Sequence, residues 1–388
     1  MDLILRGGRV IDPASGLDAT CDVGFANGRV AAVAPRIAEK ASVERDVAGA
    51  IVTPGMIDLH THVYWGGSSF GVVAEPIARR SGTTTFIDAG TAGPANFPGF
   101  RRHVIEPSPV RILAYLNVSF AGIYAFSRTV MVGESSDLRL LDLNECVRVA
   151  RENRDLIVGI KVRVGRGAGG TSGVAPLDMA LEVADELDLP VMAHIDHPPP
   201  SRKEVLERLR PGDVLTHCYR PFPNSLLRSD GAVREEALLA RERGVVFDIG
   251  HGAGSFGFHA CRGLIAAGFR PDAISSDVHV LNLDGPAFDL LTTMSKFLVL
   301  GVDVNALVAA VTAAPARAIR RPSLGTLAVG TEGDATVVDI EEGAFEFQDT
   351  QGERLPADRR FRLKGMVVGG EWWLPAIAKG QPPAGGRM

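Results

Sequence analysis

The rhythm of hydrophobic and polar positions changes twice along the chain. Up to about residue 52, short apolar runs such as "LILRGGRVID", "CDVGFANGRVAAVA" and "RDVAGAIV" are separated by Gly7-Gly8, Asn27-Gly28 and Ala48-Gly49. This is the pattern of strands punctuated by tight turns, and Asn27-Gly28 between two apolar runs predicts a hairpin. The same texture returns near the other end in "LGTLAVGTEGDATVVDI" and "FRLKGMVVGGEWW". Strand-rich ends around a different middle predict one small β-sandwich domain built from residues 1–53 and 322–388. The final stretch, "AKGQPPAGGRM", reads as a loose tail.

The middle alternates. Eight short apolar runs fall at 56–62, 84–88, 112–118, 157–164, 190–194, 214–217, 245–249 and 273–277. Between them lie segments of helical periodicity, such as "APLDMALEVADELD" and "DGAVREEALLARERG". Eight strand–helix units over residues 54–321 predict an α/β fold, a (β/α)8 TIM barrel. A doubly wound open sheet is the alternative, and the number of units favours the barrel. No internal repeat or low-complexity segment interrupts the pattern.

Composition narrows the function classes. The 388 residues are 46% hydrophobic and 22% charged, with a net charge of −5, and no basic stripe invites nucleic acid. Cys21, Cys146, Cys218 and Cys261 are far apart and show no CxxC spacing, which fits reduced thiols in a cytoplasmic protein. The N-terminal "MDLILRGGRVID" lacks the long apolar core of a signal peptide. The most apolar late stretch, "KFLVLGVDVNALVAAV", is broken by Asp303 and Asn305 and reads as a packed helix; no membrane partner is expected.

The candidate chemistry begins at "VTPGMIDLHTHVYWGG". Asp58, His60 and His62 occupy alternate positions, so in a strand they share a face. They either satisfy one another or hold something. Further polar residues sit at or near the ends of later runs: Lys161 in "LIVGIKVRV", His194 in "VMAHID", His217 in "VLTHCY" and Asp277 in "AISSDVH". Lys161 to His194 is 33 residues and His194 to His217 is 23, each about one strand–helix unit; His217 to Asp277 is 60, room for two. The spacing places His60, His62, Lys161, His194, His217 and Asp277 at one rim of the barrel, the rim that carries chemistry in this architecture. Four imidazoles and a carboxylate suit zinc. Six ligands exceed one tetrahedral ion but suit two ions sharing a bridge. An ammonium beside two cations would be repelled, whereas Lys161 carboxylated by CO2 on its neutral amine becomes a bridging anion. The chain has only six lysines, and one embedded in a strand asks for a reason. A lone HxH pair is often structural and a lone strand lysine can snorkel; six such residues, each at an expected strand end, go beyond either reading.

With "GMIDLHTH", the Lys161 strand, "MAHID", "LTHCY" and "SSDVH", the chain resembles the amidohydrolase superfamily of metal-dependent hydrolases, and within it the dihydroorotase-like deacetylases. The resemblance covers nearly the whole chain. It implies that His60, His62 and Asp277 hold the more buried ion, that His194 and His217 hold the other, and that carboxylated Lys161 bridges them. The two ions make a shared hydroxide available near neutral pH. Asp277, beside it, takes its proton during attack and returns it to the leaving group. The expected reaction is hydrolysis of an acyl bond, amide or ester, with small acetylated 2-hydroxy or amino acids as the substrate class.

Dihydroorotases typically place an Arg two or three residues after the HxH pair; here the residues are Val63, Tyr64 and Trp65. Arg163, two residues beyond Lys161 on the same face, is the candidate replacement for gripping a substrate carboxylate, or else it pairs with a loop carboxylate. His251 in the glycine-rich "FDIGHGAGSF", Tyr64, Trp65 and Asn117 are further candidates for lining the substrate pocket, and His279 for support behind it. "GRGAGG" at 165–170 matches GxGxxG, but the next helical stretch begins only near Pro176, so a mobile loop is expected rather than a dinucleotide site. Competing readings are a cyclic-amide hydrolase of dihydroorotase or hydantoinase type, a deaminase, which Lys161 argues against, and a barrel that has lost catalysis, which should lack ligands. The expected partner is a small carboxylate-bearing substrate; a homo-oligomer is an expectation by analogy.

Overall fold

β1 (Leu3–Asp12) pairs antiparallel with β2 (Leu17–Ala26). Asn27 and Gly28, both left-handed at φ 51 and 72, then turn the chain into β3 (Arg29–Ala34) as the hairpin signal requires. β4 (Val43–Asp46) and β5 (Ile51–Pro54) run parallel to β1. The computed structural model describes residues 1–376; the expected loose tail at 378–388 lies outside the described residues.

The middle follows as β6 (Met56–Thr61), β7 (Thr83–Ala89), β8 (Arg111–Asn117), a two-stranded hairpin of β9 (Ala125–Phe126) and β10 (Met131–Val132), then β11 (Ile157–Val164), β12 (Val191–Ile195), β13 (Val214–Leu215) and β14 (Val246–Phe247). The chain ends in β15 (Ala335–Gln348), β16 (Arg354–Val368) and β17 (Glu371–Trp373). These last strands join the first ones in one continuous eight-stranded sheet, where β15 lies against β5. Leu3, Leu5, Val23, Phe25, Val52, Val337 and Val367 form its own apolar cluster.

β6, β7, β8 and β11–β14 form a seven-stranded parallel sheet in sequence order, so seven of the eight expected runs are strands. The eighth run is not a strand. Its backbone bridges the two edges of the sheet, with Ala273 paired to Asp248 and Val278 to Thr61. It cannot continue as a strand because Asp277 adopts a left-handed φ of 48, which breaks the extended geometry. The sixth run stops at Leu215 rather than 217 because His217 is likewise left-handed, at φ 65.

Helices cover the sheet's outer face. Ala175–Leu187 buries Leu177, Ala180, Val183, Ala184 and Leu187, the stripe of a helix lying on a core. The late apolar stretch is two helices rather than one, Leu290–Val299 and Val304–Val311, and Asp303 caps the second through the amides of Asn305 and Ala306. Among the described residues no helix is long and apolar enough to cross a membrane. The expected mobile loop after β11 contains a helical turn, Arg166–Gly169, held by Asp196 on the Gly167 amide at 3.1 Å. All four cysteines are buried and unpaired.

Asp334 ties the two sheets together. It pairs with Arg111 of β8, accepts from the Gly369 amide at 2.8 Å, and its carbonyl accepts from Gly55 at 3.0 Å, just before β6. Asp334→Ala would leave Arg111 and the Gly369 amide without their partner. A loss of about 2 kcal/mol in folding stability is expected in urea unfolding.

Candidate metal centre

The alternation of β6 sends Asp58, His60 and His62 to one face, and all three are buried. His60 Nδ1 lies 2.8 Å from Thr216 Oγ1, which gives its one proton to Asp248 at 2.7 Å. His62 Nδ1 lies 2.7 Å from Thr91 Oγ1, which gives its proton to Asp88 at 2.8 Å. Each threonine must therefore accept from the imidazole. His217 Nδ1 lies 2.6 Å from the carbonyl of Gly250, which can only accept. Three imidazoles thus carry hydrogen on Nδ1 and present a bare Nε2 lone pair.

Those lone pairs converge with a carboxylate. Asp277 Oδ1 is 3.1 Å from His62 Nε2 and 3.3 Å from His60 Nε2, and the ligand atoms of the three residues lie within 4.8 Å of one another. The His217 ring centroid is 5.1 Å from that of His60 and 4.5 Å from that of His194, so a second position adjoins the first. Asp277 Oδ1, His194 Nε2 and Lys161 Nζ are all buried without a hydrogen-bond partner. With Asp277 ionised, acceptors face acceptors with no proton between them and repel, and buried polar atoms are rarely left unpaired. A divalent cation resolves both problems, so the donor set fits a metal centre.

The electrostatics agree. Burial drives His60, His62, His194 and His217 well below the usual imidazole range, reinforced by Lys161 and neighbouring cationic groups; they stay neutral, as ligands must. Burial lowers Lys161 to about 7, against the pull of Asp277, so its neutral amine is within reach near neutral pH. Burial also pushes Asp277 well up, so the metal-free carboxyl is drawn towards taking up a proton that a bound cation would displace.

Several supports were not singled out from sequence. Thr91, Thr216, Asp88 and Asp248 orient the imidazoles from neighbouring strands. Asp88 and Asp248 stood at or near strand ends in "TFIDAGT" and "VFDIGHG", a signal of the same kind as the ligands. Asp58 points not at the metal position but at Ser276, accepting from its amide at 2.9 Å and from its hydroxyl. It thereby pins the residue before Asp277. Glycine is required at two contacts: a Cβ on Gly90 would lie 2.5 Å from that of Lys161, and one on Gly252 2.4 Å from Asp277 Oδ2.

The expected substrate contacts are placed differently. Arg163 is buried, with Nη1 3.2 Å from the buried Glu134 Oε2 and its guanidinium 5.0 Å from the Phe126 ring centroid. His251 does not reach the centre: both its nitrogens are taken, Nε2 by Lys296 at 2.6 Å and Nδ1 by the Gly252 carbonyl at 3.0 Å. Tyr64 turns away to stack on Phe100 at 4.5 Å and donates to the Asn96 carbonyl, while Trp65 is exposed. Asn117 is spent on Gly90 and Ser119, both at 2.9 Å. His279 stacks on Phe70, and its Nδ1 accepts from the Leu281 amide at 3.1 Å.

Asp58 supplies a pH test. Burial raises its carboxyl from 3.8 to about 7. The folded chain then holds a proton that the unfolded chain has released, so this group favours folding fully below pH 3.8 and less as pH rises towards 7. In urea titrations of chelator-stripped protein, the stability of the wild type relative to Asp58→Asn should fall between pH 4 and pH 7. A constant difference would show Asp58 ionised throughout.

Comparison with known proteins places this geometry. The amidohydrolase family model matches residues 51–372. A deacetylase of Agrobacterium fabrum is 38% identical over 346 residues, covering 89% of this chain and 84% of the relative. The crystal structure of an adenine deaminase superposes with a TM-score of 0.90 at 31% identity, over 96% of this chain and 99% of that one. That of a dihydroorotase superposes with a TM-score of 0.88 at 35% identity, over 96% and 98%. With the matched segment spanning the parallel sheet and the C-terminal strands that follow it, the chain is a hydrolase of the amidohydrolase family.

Proposed function

We propose that the chain removes acetyl groups from small 2-hydroxy or amino acids, cleaving an ester or amide bond at a centre of two divalent ions, zinc foremost. The observation that carries this reading is the convergence of bare imidazole nitrogens on Asp277 beside an unpartnered, buried Lys161 amine. His60, His62 and Asp277 would hold one ion, and His194 and His217 the other, with Lys161, carboxylated by CO2, between them. When bound, such ions supply a hydroxide nucleophile near neutral pH and a Lewis acid for the acyl oxygen.

The chain's own residues do the rest. Asp277 is held by its amide on the His60 carbonyl at 2.7 Å and by Asn282 on its own carbonyl at 2.7 Å. So fixed, it takes the proton of the attacking water and hands it to the departing nitrogen or oxygen. Arg163 is the candidate anchor for a substrate carboxylate; because Nη1 already faces Glu134, the substrate must share or displace that partner. The reading includes a (β/α)8 barrel over 54–321 with a small β domain from 1–53 and 322–388, a cytoplasmic setting, and possible homo-oligomers.

The Agrobacterium relative bears the name deacetylase and aligns over most of both chains, which favours this branch. A cyclic-amide hydrolase is the second reading, supported by the dihydroorotase superposition. Against its dihydroorotase form, Val63, Tyr64 and Trp65 offer no guanidinium after His62, and Tyr64 faces Phe100 instead of the metal position.

The test is hydrolysis by protein supplied with zinc and bicarbonate. The panel is N-acetyl amino acids and O-acetyl 2-hydroxy acids of both hands, dihydroorotate and a hydantoin. Acetate release with a preference for one hand is expected; ring opening without acetate would overturn the deacetylase reading. Asp277→Asn should keep most of its metal and lose turnover by at least about 10²-fold, checked by metal analysis alongside rates. Undiminished turnover would remove Asp277 from its role.

A further inference from the structure

We propose that the buried Lys296–His251 pair is a positioning device for the metal centre, linking the terminal sheet to the loop that supports His217 and Asp277. This rests on the metal-centre reading above. Lys296, in helix Leu290–Val299, is fully buried. Its Nζ meets three acceptors: the carbonyls of Pro286 and Gln348, each at 2.8 Å, and His251 Nε2 at 2.6 Å. His251 Nδ1 already donates to Gly252, so Nε2 must receive. Burial lowers Lys296 to about 7, yet three acceptors use all three protons of the ammonium. Among the described residues no carboxylate pairs with it; Asp349 and Asp289 act only from a distance. An ammonium without a carboxylate partner is unfavourable in a core where a methionine of similar length would not be, so the charge is kept for what it orients.

What it orients is residues 250–252. The Gly250 carbonyl accepts from His217 Nδ1, and the Gly250 amide donates to Ser275 Oγ at 2.9 Å. The amides of His251 and Gly252 donate to the carbonyls of Ser275 and Ser276 at 3.1 and 3.0 Å. Gly252 lies so close to Asp277 that a Cβ would fall 2.4 Å from Oδ2. Three consecutive residues therefore back one ligand from each metal position. Their middle side chain stacks on Phe256 at 4.5 Å and is held at its far nitrogen by Lys296. Gln348 ends β15, and the next residue, Asp349, accepts the amides of Phe258, Gln351 and Glu353, so this anchor is itself fixed.

The experiment uses the full chain with His251→Leu, Lys296→Met and His251→Gln, whose Oε1 can stand where Nε2 stands. Zinc retained per chain is measured against a competing chelator, together with kcat and KM for N-acetylglycine and the Tm of the metal-free protein. The leucine and methionine variants should bind zinc at least about 10-fold more weakly, with kcat falling more than KM rises, and His251→Gln should recover most of both. Wild-type zinc affinity in the leucine and methionine variants would overturn the link, whatever their Tm. If those two do not fold, His251→Asn, too short to meet Lys296, takes their place: zinc loss in the Asn but not the Gln variant supports the link, and equal affinity overturns it. Failure of the wild type to bind zinc would instead overturn the metal-centre reading.

Discussion

The structure turns on a proton deficit. Four imidazoles, an amine and, when ionised, a carboxylate are gathered in the interior, with the Nδ1 hydrogens of His60, His62 and His217 committed outward and no proton between the inward-facing lone pairs. Each inward atom loses hydration, and the repulsion between acceptors grows as the dielectric falls. Such a cluster needs its members held so firmly that they cannot turn aside, and it suits a cation that would stabilise them from within. The outer hydrogen bonds meet the first condition: Asp88 through Thr91 for His62, Asp248 through Thr216 for His60, the Gly250 carbonyl for His217.

That firmness shapes the backbone. His217 and Asp277 are both left-handed, a conformation that costs a non-glycine residue of order 1 kcal/mol or more. Each turns its side chain inward at the point where a strand would otherwise continue, which is why β13 is short and the last run never becomes a strand. Glycines sit where the packing leaves no room for a side chain, at 90 against Lys161 and at 252 against Asp277. The irregularities of the parallel sheet are concentrated where ligands are presented.

This also explains what could be read from the sequence. The clustering of the candidate ligands was legible because a histidine, lysine or aspartate at the end of an apolar run violates the pattern around it, and the violation recurred at strand–helix spacing. The parallel order of the sheet followed from the same runs. The supports were hidden because Thr91 reads as an ordinary loop threonine and Thr216 as an ordinary strand one; only the fold shows that each passes a proton to an aspartate. Rim residues were the hardest to read. His251 sits in a glycine-rich loop, where its position suggests a pocket-lining role, yet its partner Lys296 is 45 positions away, inside a helix. Arg163 was recognised as facing the site, but its carboxylate, Glu134, lies on a segment with no regular pattern.

The supports cross strands, and this bears on how one fold serves different chemistries. His62, just after β6, is oriented from the end of β7, His60 by residues that follow β13 and β14, and Asp277 by the loop after β14 and by Asp58 of β6. Few ligands can be moved without disturbing a neighbour's support, so the cluster resists change as a unit. The segments that approach it from outside are not bound in this way. The hairpin of β9 and β10 brings Phe126 onto Arg163 and His279, and the stretch just after it brings Glu134 to the same guanidinium. Substitutions there can alter what the centre receives without altering what it does. Relatives named for deacetylation, deamination and dihydroorotate chemistry can therefore share one scaffold, because the surroundings of Arg163 can vary while the histidine cluster stays fixed.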